Sequence, residues 1–305
     1  MSIDSELEAL REQTIEENEK LRPLIEDRKF HTGTVAEARQ LTLAETKLEH
    51  AVDISIPSPN GPILVHTFSP PTPKGVYMHI HGGGWVIGSA FARDPKLFEI
   101  SQQTNSVVVS VDYRLAPENP HPSGADDCEI AATWLLENSE KKWGTSQIVI
   151  GGESAGAHLA AVTALRLRNK HSLYKKIVGL NLVYGVFDLS MTPSQRLGND
   201  KLVISTETLE WFYNHYLQSN ESRVLPDISP LYADLSELPP ALLTVGTQDP
   251  LLDDSLFMAM RLRSAGSEAT LDIYPEALHG FTVLPGRAAT VANERANQFI
   301  SSCWS

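Results

Sequence analysis

The chain has 305 residues, 25 Lys and Arg against 38 Asp and Glu for a net charge of −13, and 42 % hydrophobic residues. That apolar share is enough for a sizeable core and excludes a disordered chain, while the acidic balance argues against nucleic acid or an anionic membrane surface as partner. The start, MSIDSELEAL, lacks the basic-then-apolar pattern of a secretory signal, and nowhere do about 18 apolar residues run together as a membrane-spanning helix requires. Cys128 and Cys303 give no disulfide framework and suit a reducing cytosol, so the expectation is a soluble cytoplasmic chain with no membrane insertion. Its oligomeric state stays open, a homodimer included.

The first 30 residues hold nine acids and five bases around scattered leucines (Leu7, Leu10, Leu21, Leu24), a pattern of solvated amphipathic helices rather than core elements. Apolar, β-branched runs follow at 51–56, 62–68 and 75–80, then at 106–112, 147–151, 177–183, 240–246 and 269–274. Several are near-continuously apolar, as strands covered on both faces are. Helical spacing appears between them: Cys128, Ala131, Ala132 and Leu135 share a face within 125–139, as do Leu252, Leu256, Ala259 and Met260 within 252–263. A last helix runs over 288–300 with Val291, Ala292 and Phe299. Alternating strands and helices predict an α/β fold with a mostly parallel sheet between helices, the first runs forming an antiparallel start. About 55 residues separate the runs ending near 183 and starting at 240, and inside them Leu209, Phe212, Tyr213, Tyr216 and Leu217 repeat at helical spacing. That is too long for a simple crossover and predicts an inserted cap on one domain.

Residues 152–156 read GESAG directly after a predicted strand and before the small-residue helix opening AHLAAV. A G-x-S-x-G in that setting forms a tight strand-to-helix turn that projects Ser154, with glycines where neighbouring backbone leaves no room for a Cβ. The helix start turns N–H groups, Ala155 first, towards developing negative charge. Upstream, HIHGGG at 79–84 ends a buried run in three glycines, a loop suited to supplying further N–H donors to an oxyanion. His79 and His81 stand at i, i+2, but no further His/Asp cluster completes a metal site, so a loop-anchoring histidine is expected and no metal. A serine nucleophile needs an imidazole and a carboxylate that orients it, in the chain order Ser, Asp or Glu, His. His279 lies in the loop ALHGF after the last predicted strand, and Asp249 ends PALLTVGTQ where Pro250 breaks the strand. Asp253 and Asp254 read as the start of the next helix and Asp272 as part of a strand. His158 reads as a packed histidine, and His121 in NPHPS as structural or exposed.

HGGGW (81–85), DYRLAPE (112–118), GESAG (152–156) and DPLLDD (249–254) with HGF (279–281) together resemble the hormone-sensitive-lipase-like branch of the α/β-hydrolases, the bacterial esterases. The resemblance spans roughly residues 75–281, two-thirds of the chain. It implies an eight-stranded α/β-hydrolase sheet, Ser154 as nucleophile, Asp249 as acid, His279 as base, and oxyanion donors at Gly83, Gly84 and Ala155. It implies a helical cap built from about 1–45 and about 185–225, and support contacts from Arg114 and Glu118. Where that family commonly has Asp or Thr before the nucleophile, this chain has Glu153, which changes the contacts expected there.

The expected activity is hydrolysis of short- to medium-chain esters through an acyl-enzyme, with no cofactor. Trp85, Tyr184, Phe187, Trp211 and Phe212 (and Tyr213) are candidates for an acyl pocket or simply for core packing. An amidase or formamidase with the same three residues, and a binding protein that kept the fold, remain alternatives at this point.

Overall fold

The structure is a computed structural model that describes residues 4–25, 30–40, 47–199, 201–218 and 220–304. Eight strands form one sheet: β1 (Val52–Ile56), β2 (Ile63–Phe68), β3 (Gly75–Ile80), β4 (Ser106–Asp112), β5 (Ile148–Glu153), β6 (Ile177–Val183), β7 (Ala241–Gly246) and β8 (Ala269–Tyr274). Their order is β1-β2-β4-β3-β5-β6-β7-β8. The pairs β1–β2 and β2–β4 are antiparallel, and every pair from β4 to β8 is parallel. The helices are α1 (Ser5–Glu8), α2 (Arg11–Ile25), α3 (Val35–Gln40), α4 (Asp94–Thr104), α5 (Ser123–Trp143), α6 (Ala155–Lys170), α7 (Pro193–Arg196), α8 (Thr206–Tyr216), α9 (Leu252–Ser264) and α10 (Arg287–Ser302).

The mostly parallel sheet with an antiparallel start matches the run pattern, but β4 inserts between β2 and β3. From β3 the chain steps back through α4, then forward past β3 through α5. Right-handed crossovers in opposite directions put their helices on opposite faces of the sheet. The side chains follow: Val107, Val109 and Val111 join the core that holds Cys128 of α5, Leu159 of α6 and Met258 of α9. Val108, one residue out of phase, joins Tyr77 and Val149 against Leu97 of α4 and Ile300 of α10. A strand buried on both sides has no polar face to alternate, which is why it reads as an unbroken apolar run.

Two apolar expectations shift. Leu7 is fully buried beside Val183, Tyr184 and Tyr274, so the acidic N-terminal segment contributes a core residue through α1. On α9 the buried face is Asp254, Ser255, Met258, Ala259 and Leu262, with buried Leu251 just ahead of the helix, while Met260 is 49 % exposed. Polar Asp254 and Ser255 break the apolar stripe that actually faces inward, and the rival stripe through Met260 looked better in sequence.

Between β6 and β7, α8 buries Leu209, Phe212, Tyr213 and Tyr216, the expected face. Residues 30–40 pack on it: Phe30 meets Phe212 at 5.9 Å between ring centroids, and His31 Nδ1 lies 2.9 Å from Thr208 Oγ1. From α3, Arg39 donates to the Val86 and Ala116 carbonyls and pairs with Glu118 at 2.7 Å. Further back, α2 reaches α10 and the loop after β8, where Asn18 donates to the Glu276 carbonyl. Within the ranges 1–45 and 185–225, residues 1–3, 26–29, 41–45, 200 and 219 lie outside the described residues.

Candidate active site

Ser154 sits between β5 and α6 with φ 56° and ψ −120°, a left-handed conformation that strains a residue with a Cβ by about 1–3 kcal/mol. The turn is tight because a Cβ at either Gly152 or Gly156 would run into the Ile80 carbonyl oxygen at the end of β3. The Ser154 N–H donates to the Val183 carbonyl (2.9 Å), which fixes the elbow to β6.

The loops after β7 and β8 bring two side chains to this serine. The Ser154 hydroxyl lies 3.1 Å from His279 Nε2, and His279 Nδ1 lies 2.8 Å from Asp249 Oδ2. Asp249 is buried, and its other oxygen accepts from the Leu251 N–H at 2.8 Å, which holds the carboxylate plane. Three residues separated by up to 125 positions thus form one hydrogen-bonded line. Asp253 and Asp254 fall in the first turn of α9, and Asp272 in β8.

The glycine loop after β3 turns back beside Ser154. Gly83 has φ 118° and Gly84 φ 57°, and the Val86 and Ile87 N–H groups both donate to the Gly83 carbonyl. A Cβ at Gly83 would strike the Ile87 carbonyl, and one at Gly84 the Phe212 ring. The N–H groups of Gly83, Gly84 and Ala155 find no acceptor among the described residues. His81 anchors the loop: its Nδ1–H donates to the Gly82 carbonyl (2.8 Å) and its ring stacks on Tyr113 at 4.2 Å. Burial pushes its pKa down to about 4, so the ring is neutral. His79 instead lies 3.0 Å from Glu153 Oε2 and 3.2 Å from Ser110 Oγ, so the two histidines have separate partners. The Glu153 contact had no signal in sequence, because His79 and Glu153 are 74 residues apart on neighbouring strands.

The aromatic candidates lie mostly inside. Trp85, 2 % exposed, stacks on Tyr216 at 4.3 Å and donates its indole N–H to His158 Nδ1 (3.2 Å). His158, whose Nε2–H donates to the Ile228 carbonyl, is held neutral by burial, with its pKa down to about 4. Phe187 is fully buried in the main core. Tyr184 is buried with its ring 4.8 Å from that of His279 and its hydroxyl 2.5 Å from Thr282 Oγ1. Phe212 is 5 % exposed at the back of Gly84, and Trp211, half-buried, packs edge-on to it at 5.1 Å. Arg114 is held by Asp127 (2.8 Å) and Glu118 by Arg39, so both brace the segment beside the glycine loop. His121 is buried between Glu221 and Asp227. A cavity of about 1070 Å³ starts at the glycine loop and runs between α4 and residues 282–297. None of the five aromatic candidates lines it.

A twisted, mostly parallel eight-stranded sheet with a serine on a strained elbow after its fifth strand defines the α/β-hydrolase fold. Comparison with known proteins agrees. Residues 77–283 match the family model described as alpha/beta hydrolase fold. The chain is 34 % identical over 234 residues to Carboxylesterase NlhH of Mycobacterium tuberculosis, covering 72 % of this chain and 71 % of that one. It is 28 % identical over 273 residues to an acetyl esterase of Salmonella paratyphi A, covering 86 % and 84 %. The solved esterase of Pyrobaculum calidifontis superposes with a TM-score of 0.81 at 30 % identity, over 89 % of this chain and 94 % of that one. The chain belongs to the hormone-sensitive-lipase-like branch of the α/β-hydrolases and is a carboxylic ester hydrolase.

Proposed function

We propose that this esterase hydrolyses short- to medium-chain acyl esters with Ser154 as nucleophile, His279 as general base and acid, and Asp249 as the carboxylate that orients the imidazole. The observation that carries this is His279 standing in hydrogen-bond reach of both Ser154 and Asp249. Ser154 Oγ bonds to the ester carbonyl carbon as its proton passes to His279 Nε2. The oxyanion is held by the N–H groups of Gly83, Gly84 and Ala155. The C–O bond to the leaving alcohol then breaks, and His279 returns the proton to that oxygen. Water attacks the acyl-enzyme by the same steps in reverse roles, releasing the acid and restoring Ser154.

Residues about 1–45 and 185–225 act as the cap, a reading supported by the packing of Phe30 and His31 on α8 and of Arg39 on the glycine-loop side. Trp211 and Phe212 of α8 and Tyr184 beside His279 shape the acyl side, while Trp85 and Phe187 only pack in the core behind them. The relative named acetyl esterase supports the short end of the chain-length range. Among the described residues no helix is long and apolar enough to cross a membrane. The free thiols of Cys128 and Cys303 fit a reducing compartment, the cytoplasm.

Initial rates on p-nitrophenyl esters from acetate to laurate, for wild type and Ser154→Ala, test the reading. A maximum at short or medium chains that vanishes in the variant is expected. Equal rates in the two proteins would remove Ser154 as nucleophile.

A further inference from the structure

We propose that this esterase prefers esters carrying a carboxylate away from the scissile bond, and that Arg93 binds that carboxylate in the cavity beside the glycine loop. The inference rests on the esterase reading above and adds a substrate class to it. The cavity is bounded at one end by Gly82 and Gly83 and along its walls by Arg93, Lys96, Glu99 and residues 282–286. Its volume, about 1070 Å³, leaves room for more than a small acyl or alcohol group.

Lys96 is already tied to Glu99 at 2.9 Å, so its charge is locally answered. Arg93 has no such contact: among the described residues its guanidinium makes no hydrogen bond and no close ion pair, its Nη1 is buried without a partner, and Glu153 answers its charge only through space. A guanidinium is always charged, and a buried N–H left unmade is costly. An arginine left in that condition on a cavity wall is what a planar, two-oxygen anion would satisfy, because the fork of guanidinium N–H groups matches a carboxylate. Glu153 feels that charge and is pulled down through space, but its hydrogen bond goes to His79. The chain's charge of −13 does not oppose this at close range, since free charges are screened beyond about 8 Å at physiological salt.

The carboxylate could sit on the acyl part or on the alcohol part of the ester, and two probe pairs separate these. On the acyl side, p-nitrophenyl hemisuccinate is compared with p-nitrophenyl butyrate. On the alcohol side, O-acetyl-glycolate is compared with ethyl acetate. For each pair the ratio of kcat/KM, charged over neutral, is measured in wild type, Arg93→Gln and Arg93→Lys. The expected result is that Arg93→Gln lowers the ratio about tenfold or more for at least one pair through KM, with Arg93→Lys in between. If Arg93 served only to balance Glu153, charged and neutral esters would change together and the ratio would stay put, overturning the proposal while leaving the esterase reading intact. A wild type that turns over none of the four esters would overturn both.

Discussion

Glu153 Oε2 lies 3.0 Å from His79 Nε2, so the carboxylate just before Ser154 is tied across to the strand that leads into the glycine loop. The longer side chain found here, where the family commonly has Asp or Thr, spans from β5 to β3 and couples the two backbone segments flanking the reaction site. Burial alone would raise the Glu153 pKa, but the His79 imidazole and the Arg93 guanidinium outweigh it and hold it down at about 2.

Glu153→Gln therefore should cost stability at neutral pH, about 1–3 kcal/mol for a lost buried charged hydrogen bond. The sign with pH is fixed: a depressed carboxyl stabilises above its unfolded value of about 4.5 and loses that contribution as pH falls through its folded value near 2. Urea midpoints across pH 2 to 7 should show the wild-type advantage shrinking below pH 4.5. A wild-type advantage that persists undiminished at pH 2 would contradict the pairing.

The strain at Ser154 makes a second prediction. Glycine accepts φ 56° without a steric penalty, so Ser154→Gly relieves about 1–3 kcal/mol of strain and gives back about 0.5–1 kcal/mol in chain entropy. The net is a gain of about 1 kcal/mol together with loss of ester turnover. Thermal unfolding of the variant should rise by a few degrees; a fall would mean that the elbow is not strained.

The elbow, the Asp249 loop and the His279 loop are legible in sequence because each is a local pattern: glycines flanking a serine, an Asp-Pro shortly after an apolar run, a histidine after the last run. Their order along the chain is what suggests the roles proposed for them. The insertion of β4 between β2 and β3 was not legible, since strand order depends on crossover direction, which leaves no periodicity behind. Nor was the buried Leu7, hidden in an acidic segment, or the Arg93 guanidinium, which has no hydrogen-bond partner among the described residues. What decides those residues is which distant surface folds onto them.

His121 offers a pH test of the inserted region. Burial lowers its pKa, but hydrogen bonds to Asp227 and Glu221 overcome that and raise it above the usual 6.5. With Nδ1 2.6 Å from Glu221 and Nε2 3.3 Å from Asp227, both ring N–H groups are used, as in an imidazolium. Arg166 forks onto both oxygens of Asp227, at 2.7 Å to Oδ1 and 2.6 Å to Oδ2, the oxygen His121 also contacts. A raised pKa stabilises fully below pH 6.5 and the contribution is lost as pH rises through the folded value. The stability difference between wild type and His121→Gln should accordingly be largest near pH 6 and shrink towards pH 9. A difference that does not change with pH would show that His121 acts by packing alone.

The contact between Gly84 and Phe212 links the proposed oxyanion donors to α8. A Cβ at position 84 would enter the Phe212 ring, and φ 57° adds a further 1–2 kcal/mol or so for any side chain there. The loop has little room to yield, because the Val86 and Ile87 N–H groups already grip the Gly83 carbonyl and a Cβ at Gly83 would meet Ile87. Gly84→Ala should therefore tilt the Gly84 N–H and lower kcat on p-nitrophenyl butyrate by about 100-fold, the scale of one lost oxyanion donor. Removing the ring separates the two causes. If the ring forces the tilt, the double variant Gly84→Ala/Phe212→Ala regains at least tenfold in kcat over Gly84→Ala, although Phe212→Ala alone costs about 3–5 kcal/mol of stability. Rates are read at 15 °C after circular dichroism confirms that each variant is folded. No recovery in a folded double variant would place the damage in the backbone strain at Gly84 and leave Phe212 without a part in shaping the loop.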